Sequence, residues 1–171
     1  MNHYLAAVHQ TARVLRQVDR WLDLATTHAQ GRSFDPETLL HARLAPDQFS
    51  LVRQIQSACD AAKFLAAKLA GKTPPSHPDT ESTLAQVRAR IASVVGYLDD
   101  FTDADFAAAD TIKVTFRWLP GKFLDAPAYL HRYELPNFYF HVNHTYAILR
   151  HNGVALGKRD YLGIDLPFQD L

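Results

Sequence analysis

Cysteine is nearly absent from this chain of 171 residues. Cys59 stands alone, so no intramolecular disulfide staples the fold, and a reducing cytoplasm is the expected compartment. Surplus charge is absent too. Eighteen Lys and Arg residues cancel eighteen Asp and Glu residues, which removes any general electrostatic pull toward nucleic acid or an anionic membrane. Neither is expected as a partner. No stretch approaches the 18 or so uncharged apolar residues of a membrane-spanning helix. The opening MNHYLAAVHQTARVLRQVDR lacks the basic-then-apolar order of a signal peptide. There is no internal repeat and no low-complexity tract.

What is present is ordinary globular composition, 47% apolar and 21% charged. The length suits one domain over residues 1–171 with a substantial core. Apolar spacing then divides the chain. A first helix is expected from Asn2 to about Ala29 on Leu5, Val8, Ala12, Leu15, Leu22 and Ala25, stopped by GRSFD. A helical turn follows at PETLLHARL, with Pro36 in a favoured first position. The second helix is expected from Ala45-Pro46 to Gly71, with its seam on Leu51, Ile55, Ala58, Ala62, Leu65 and Leu69. KTPPSHPD reads as a loop. The third helix is expected to start at Asp79 or Thr80, either of which can cap it. Leu84, Val87, Ile91, Val94 and Leu98 form its stripe. Spacing near 3.5 residues favours a bundle with shallow crossing angles.

The period then changes. TIKVTFRW alternates over residues 111–118, which reads as a strand, and LPGKF reads as the turn of a small hairpin. The fourth helix follows. APAYLHRYE can be helical, but Pro136 disfavours the helical conformation at Leu135 and predicts a bend or restart. Asn152-Gly153 is a good stop, and the tail VALGKRDYLGIDLPFQDL reads as irregular.

The fourth helix carries the candidate chemistry. At about 100° per residue, Asn137, His141, His144, Ile148 and His151 share an arc of roughly 80°. His141 and His144 can project toward one point. Two histidines at i and i+3 need a third metal ligand. The second helix offers Asp47 and Gln54, near its seam at 47, 51, 54, 58 spacing. Asp60 points to the far side of that seam. The metal reading is zinc or nickel on His141, His144 and Asp47. The other reading makes His141 a hydrogen-bonded residue and His144 a lining of the bundle end. Cys59 reads as a small core residue. Ser50, Ser57 and Ser93 sit in no nucleophile motif. Tyr129, Tyr133, Tyr139 and Tyr146 read as core or interface residues with wet hydroxyls.

The runs HARLAPDQFSLVRQIQSACDAAKFLAAKLAG and LPNFYFHVNHTYAILRHNGVALGKRDYLG resemble an uncharacterised bacterial family, a domain of unknown function grouped with the DinB-like (YfiT-like) four-helix bundles. The resemblance covers nearly the entire chain. It implies an all-α, up-down four-helix bundle with a small β-hairpin inserted before the fourth helix, and a homodimer. It also implies a divalent metal on one histidine of the second helix and an H-x-x-x-H pair of the fourth, in some members serving thiol-dependent transferases or hydrolases. This chain departs from that pattern. Its second helix has no histidine, its pair is spaced i, i+3, and Asn137 stands four residues before His141. The carry-over reaches His141, with Asn137 or Gln54 at replaced positions.

Three functions follow as expectations. The first is a small-molecule binding module with a degenerate metal site, its pocket lined by Gln54, Asn137, His141, His144 and Tyr146, and with no cofactor. The second is a metal-dependent enzyme using water activated on zinc or nickel. The third is a homodimeric scaffold without ligand.

Overall fold

The computed structural model describes residues 2–163. Four long helices make the bundle: α1 (His3–Gly31), α2 (Leu51–Leu69), α3 (Leu84–Asp99) and α5 (Leu135–His151). Between α3 and α5 lie two short 3₁₀ turns, a hairpin of β1 (Lys113–Phe116) and β2 (Leu119–Asp125), the three-residue α4 (Ala126–Ala128) and a π-helical stretch (Tyr129–Glu134). A short α6 (Lys158–Leu162) follows α5, in a tail expected to be irregular. Residues 164–171 of that tail lie outside the described residues. No helix among the described residues is long and apolar enough to cross a membrane.

The expected stripes form the core. Leu15, Leu22, Leu51, Ile55, Leu65 and Leu69 are fully buried, and Cys59 is buried among them. Burial pushes the Cys59 thiol up to about 12, as expected of an inert core thiol. The helices α1 and α2 form the central pair, each packed against both α3 and α5. Gln54 near the start of α2 bonds His141, while Lys68 near its end feels Glu134 at the head of α5, so the two helices run antiparallel.

Several boundaries differ from the sequence expectations. The second helix starts at Leu51, not at Ala45-Pro46. The preceding residues form a turn in which the Arg43 guanidinium takes the Gln48 carbonyl and Leu51 N–H donates to Ala42 O over 2.9 Å. The third helix starts at Leu84 behind Thr83. Its capping box pairs the Thr83 hydroxyl with Gln86 N–H and the Gln86 side chain with Thr83 N–H. Asp79 is instead engaged by Arg53 and Arg90.

The hairpin turns at Arg117-Trp118 rather than within LPGKF, which belongs to β2. An irregularity between Thr115 and Phe116 absorbs Pro120, Gly121 and Lys122. Gly121 holds φ +75° there, a left-handed value that glycine adopts without strain.

At Pro136 the helix changes type: the π-helical stretch ends at Glu134 and the α-helix α5 begins at Leu135 with Pro136 in its first turn, the restart the proline predicts. Leu135 stays helical at φ −63°, ψ −46°, and α5 continues from the π-helical stretch. A proline ring clashes with the carbonyl four residues back in a regular helix. The wider π turn just upstream is the local geometry that makes room for it. At the other end Gly153 holds φ +91°, the stop expected at Asn152-Gly153.

Candidate functional site

The π-helical stretch sets Glu134 at the head of α5, and helical spacing then stacks Glu134, Asn137 and His141 on one face at i, i+3 and i+7. Opposite, α2 contributes Ser57, Ala61, Phe64 and Lys68 at i, i+4, i+7 and i+11. The hairpin closes the space with Phe116 and Trp118. Together they line a cavity of about 750 Å³.

His141 is fixed by Gln54. Its Nδ1 lies 2.8 Å from Gln54 Oε1, and Gln54 Nε2 donates to Phe49 O over 3.5 Å. That amide orientation assigns the proton to Nδ1, from the hydrogen-bond pattern, and leaves Nε2 as the basic nitrogen. No group among the described residues bonds that Nε2. Burial, helped by His144 and Arg53, lowers the His141 pKa to about 4, so the imidazole is neutral at pH 7. The Phe49 ring lies nearly parallel to it, 6.4 Å between centroids and 10° between planes.

Glu134 is 3% exposed. Its Oε1 accepts from Asn137 Nδ2 over 3.3 Å. Burial raises its pKa, against the pull of Tyr129, Asn137 and Lys68. The Tyr129 hydroxyl interacts with Glu134 but falls short of a well-formed hydrogen bond, which leaves it without a hydrogen-bond partner among the described residues. Burial also lowers the Lys68 pKa, with Glu134 opposing. The Lys68 ammonium rests on aromatic faces, 4.6 Å from the Phe116 centroid and 5.4 Å from that of Tyr129.

The other sequence candidates are placed differently. His144 is spent on its surroundings: Nδ1 lies 2.7 Å from Phe140 O and Nε2 lies 3.4 Å from Gln48 Nε2. Asp47 sits exposed on the turn before α2. The helical spacing that put it beside Gln54 does not exist, because the helix begins four residues later. Among the described residues no group of three or more His, Cys, Asp or Glu comes together as a metal ligand set. Tyr146 faces α1 and the tail. Its ring meets Trp21 and Tyr161 edge-on, and its hydroxyl donates to Leu156 O over 3.4 Å. So the structure sets Asn137 and His141 on the cavity wall with Gln54 bonded behind His141, turns His144 to Phe140 and Gln48, and places Asp47 and Tyr146 elsewhere.

Glu134 and Lys68 were not singled out in the sequence, and Tyr133, read there as a core or interface residue, lines the cavity. The signal for Glu134 was available: it completes the Asn137–His141 face one turn earlier. Lys68 had none, since it closes an otherwise ordinary amphipathic helix.

A second polar cluster carries no catalytic arrangement. His77 Nε2 lies 3.0 Å from Ser93 Oγ, and His77 Nδ1 lies 3.3 Å from Lys63 Nζ. A lysine ammonium only donates, so Nδ1 accepts and Nε2 holds the proton. That is the wrong tautomer to activate a serine. Beside it, the buried Arg90 ties Asp60, Asp79 and Glu81 at 2.7, 3.0 and 3.1 Å, joining α3, α2 and the loop between them.

With this geometry in view, the chain matches the model of the domain-of-unknown-function family DUF1993 over residues 3–162. It is also similar to a solved DinB family member protein from Shewanella denitrificans, with 44% identity and a TM-score of 0.94. The match covers 98% of this chain and 95% of that one. No curated protein matches it.

Proposed function

The chain belongs to the DUF1993 family within the DinB-like four-helix bundles, and on that footing we propose that it binds a small molecule in the cavity between α2, α5 and the hairpin. One observation carries the reading: the Glu134–Asn137–His141 ladder, in which a nearly buried carboxyl, an amide and an unpaired imidazole nitrogen share one helix face beside the cavity. Few, fixed polar groups among aromatic walls are the usual make-up of a ligand site. A thermal-shift screen on the parent and on Asn137→Leu tests it. Compounds that stabilise the parent and not the variant support the reading, and equal shifts on both sink it.

A metal-dependent enzyme, hydrolase or thiol-dependent transferase, is the second reading. Its support is the free Nε2 of His141. It asks His144 to give up Gln48 and a carboxylate to move in. Zinc and nickel content by mass spectrometry, beside His141→Ala, decides it: near-stoichiometric metal that vanishes in the variant promotes the enzyme.

A further inference from the structure

The cavity's charges do not balance, and the imbalance identifies a ligand class. Two carboxylates reach the cavity. Asp60 is already neutralised, its Oδ1 lying 2.8 Å from Lys63 Nζ and 2.7 Å from Arg90 Nη2. Glu134 is buried and bonded to Asn137, in surroundings that favour its neutral form. Two cations also line it, Lys68 and Arg117. Lys68 has no carboxylate within ion-pairing distance among the described residues. It is held by the Phe116, Tyr129 and Phe64 rings instead. A ring quadrupole steadies an ammonium without cancelling its charge. Arg117, exposed at the hairpin turn, has no ion pair or hydrogen bond among the described residues. The walls near these cations are flat and apolar. Phe116 lies 4.9 Å from Tyr133 and 5.4 Å from Trp118, and Trp118 is 66% exposed, a large apolar surface that packing among the described residues leaves uncovered.

We propose that the cavity takes a small organic oxyanion, a carboxylate or a phosphate ester with a planar apolar body. The anion sits at Lys68 and Arg117, and the body lies against Phe64, Phe116 and Trp118. This rests on the reading of the cavity as a ligand site and adds the chemistry of the ligand. The excess positive field selects an anion over its neutral or cationic isostere. The rings supply affinity that does not depend on charge. The Glu134–Asn137–His141 ladder lies beyond the anchor and is left to read a further polar group.

The test uses four probes sharing one ring system: 2-naphthoate, 2-naphthyl phosphate, 2-naphthamide and 2-naphthylmethylammonium. Tryptophan emission reports binding, because Trp118 is exposed while Trp21 is 1% exposed in the core. At least one anion is expected to bind about tenfold or more tighter than the amide, the gain of one charge-assisted contact. Which anion is preferred separates carboxylate from phosphate. Lys68→Met should erase most of that gap and leave the amide's affinity unchanged. Arg117→Gln, on an exposed turn that tolerates change, should narrow it about threefold and serves if Lys68→Met does not fold. An amide or ammonium that binds as well as the anions, or a gap unchanged in both variants, overturns the oxyanion class and leaves the cavity reading standing. No binding by any of the four overturns both.

Discussion

His141 Nδ1 lies 2.8 Å from Gln54 Oε1. This one hydrogen bond joins α5 to α2, chooses the imidazole tautomer and leaves Nε2 free. Gln54→Leu removes it and leaves a partly buried N–H without an acceptor, which costs about 1–3 kcal/mol. Urea denaturation should show that loss. Gln54→Glu places a carboxylate against the same nitrogen and favours the charged ring. The His141 pKa, followed by NMR, should rise well above its parent value of about 4. An unchanged pKa would mean that Gln54 does not contact the ring in solution.

Acid should weaken the fold through its histidines. The folded-state pKa of His141 is lowered to about 4, below the unfolded value of about 6.5. The unfolded chain therefore binds the proton first. Stability is present above about pH 6.5 and is lost as pH falls toward 4. His77, lowered by burial and by Lys63 and Arg90, acts in the same direction. Because the His141 ring is partly exposed, solvent screening reduces its share to about 1–2 kcal/mol. Denaturation of the parent and of His141→Gln at pH 7 and pH 4.5 isolates the term. The parent should lose more, and equal losses would contradict it.

Glu134 should act with the opposite sign. Its pKa is raised by burial, so the unfolded chain ionises at lower pH than the folded one. Its contribution is present below the ordinary carboxylate pKa and is lost as pH rises. Glu134→Gln keeps an acceptor for Asn137 and cannot ionise. It should match or exceed the parent's melting temperature at pH 8, with the difference shrinking toward pH 4. A variant markedly less stable than the parent at pH 8 would show that the ionised carboxylate is well compensated.

Arg90 holds three carboxylates from a side chain that is 1% exposed. Arg90→Ala strands Asp60, Asp79 and Glu81 around an empty centre and should cost about 3–5 kcal/mol. Arg90→Lys should recover only part of that loss, because an ammonium lacks the planar fork. Full rescue by lysine, seen in urea midpoints, would reduce the network to simple charge balance.

Much of the bundle was legible. Leu51, Ile55 and Leu65 of α2, and Val87, Ile91 and Val94 of α3, repeat at helical spacing and are buried as that spacing predicts. The start of α3 was misplaced at Asp79 or Thr80: the cap is Thr83, whose capping box with Gln86 went unread, and Asp79 is held elsewhere by Arg53 and Arg90. The start of α2 was not legible. Nothing local says that Arg43 will take the Gln48 carbonyl and end the turn at Ser50. The site divides in the same way. His141, Asn137 and Gln54 could be read from helix faces, whereas Asp47 failed with the helix boundary that placed it.

The sequence by itself determined four amphipathic helices, a hairpin insert and a polar face on the last helix, because periodicity is a local property of the chain. Only the tertiary structure decided that the hairpin closes over α2, that Lys68 is left on aromatic rings with no ion-paired carboxylate among the described residues, and that a π turn ahead of Pro136 carries Glu134 into the cavity wall. Those outcomes depend on which residues far apart in sequence compete for the same partner and the same space, and no local pattern encodes that competition.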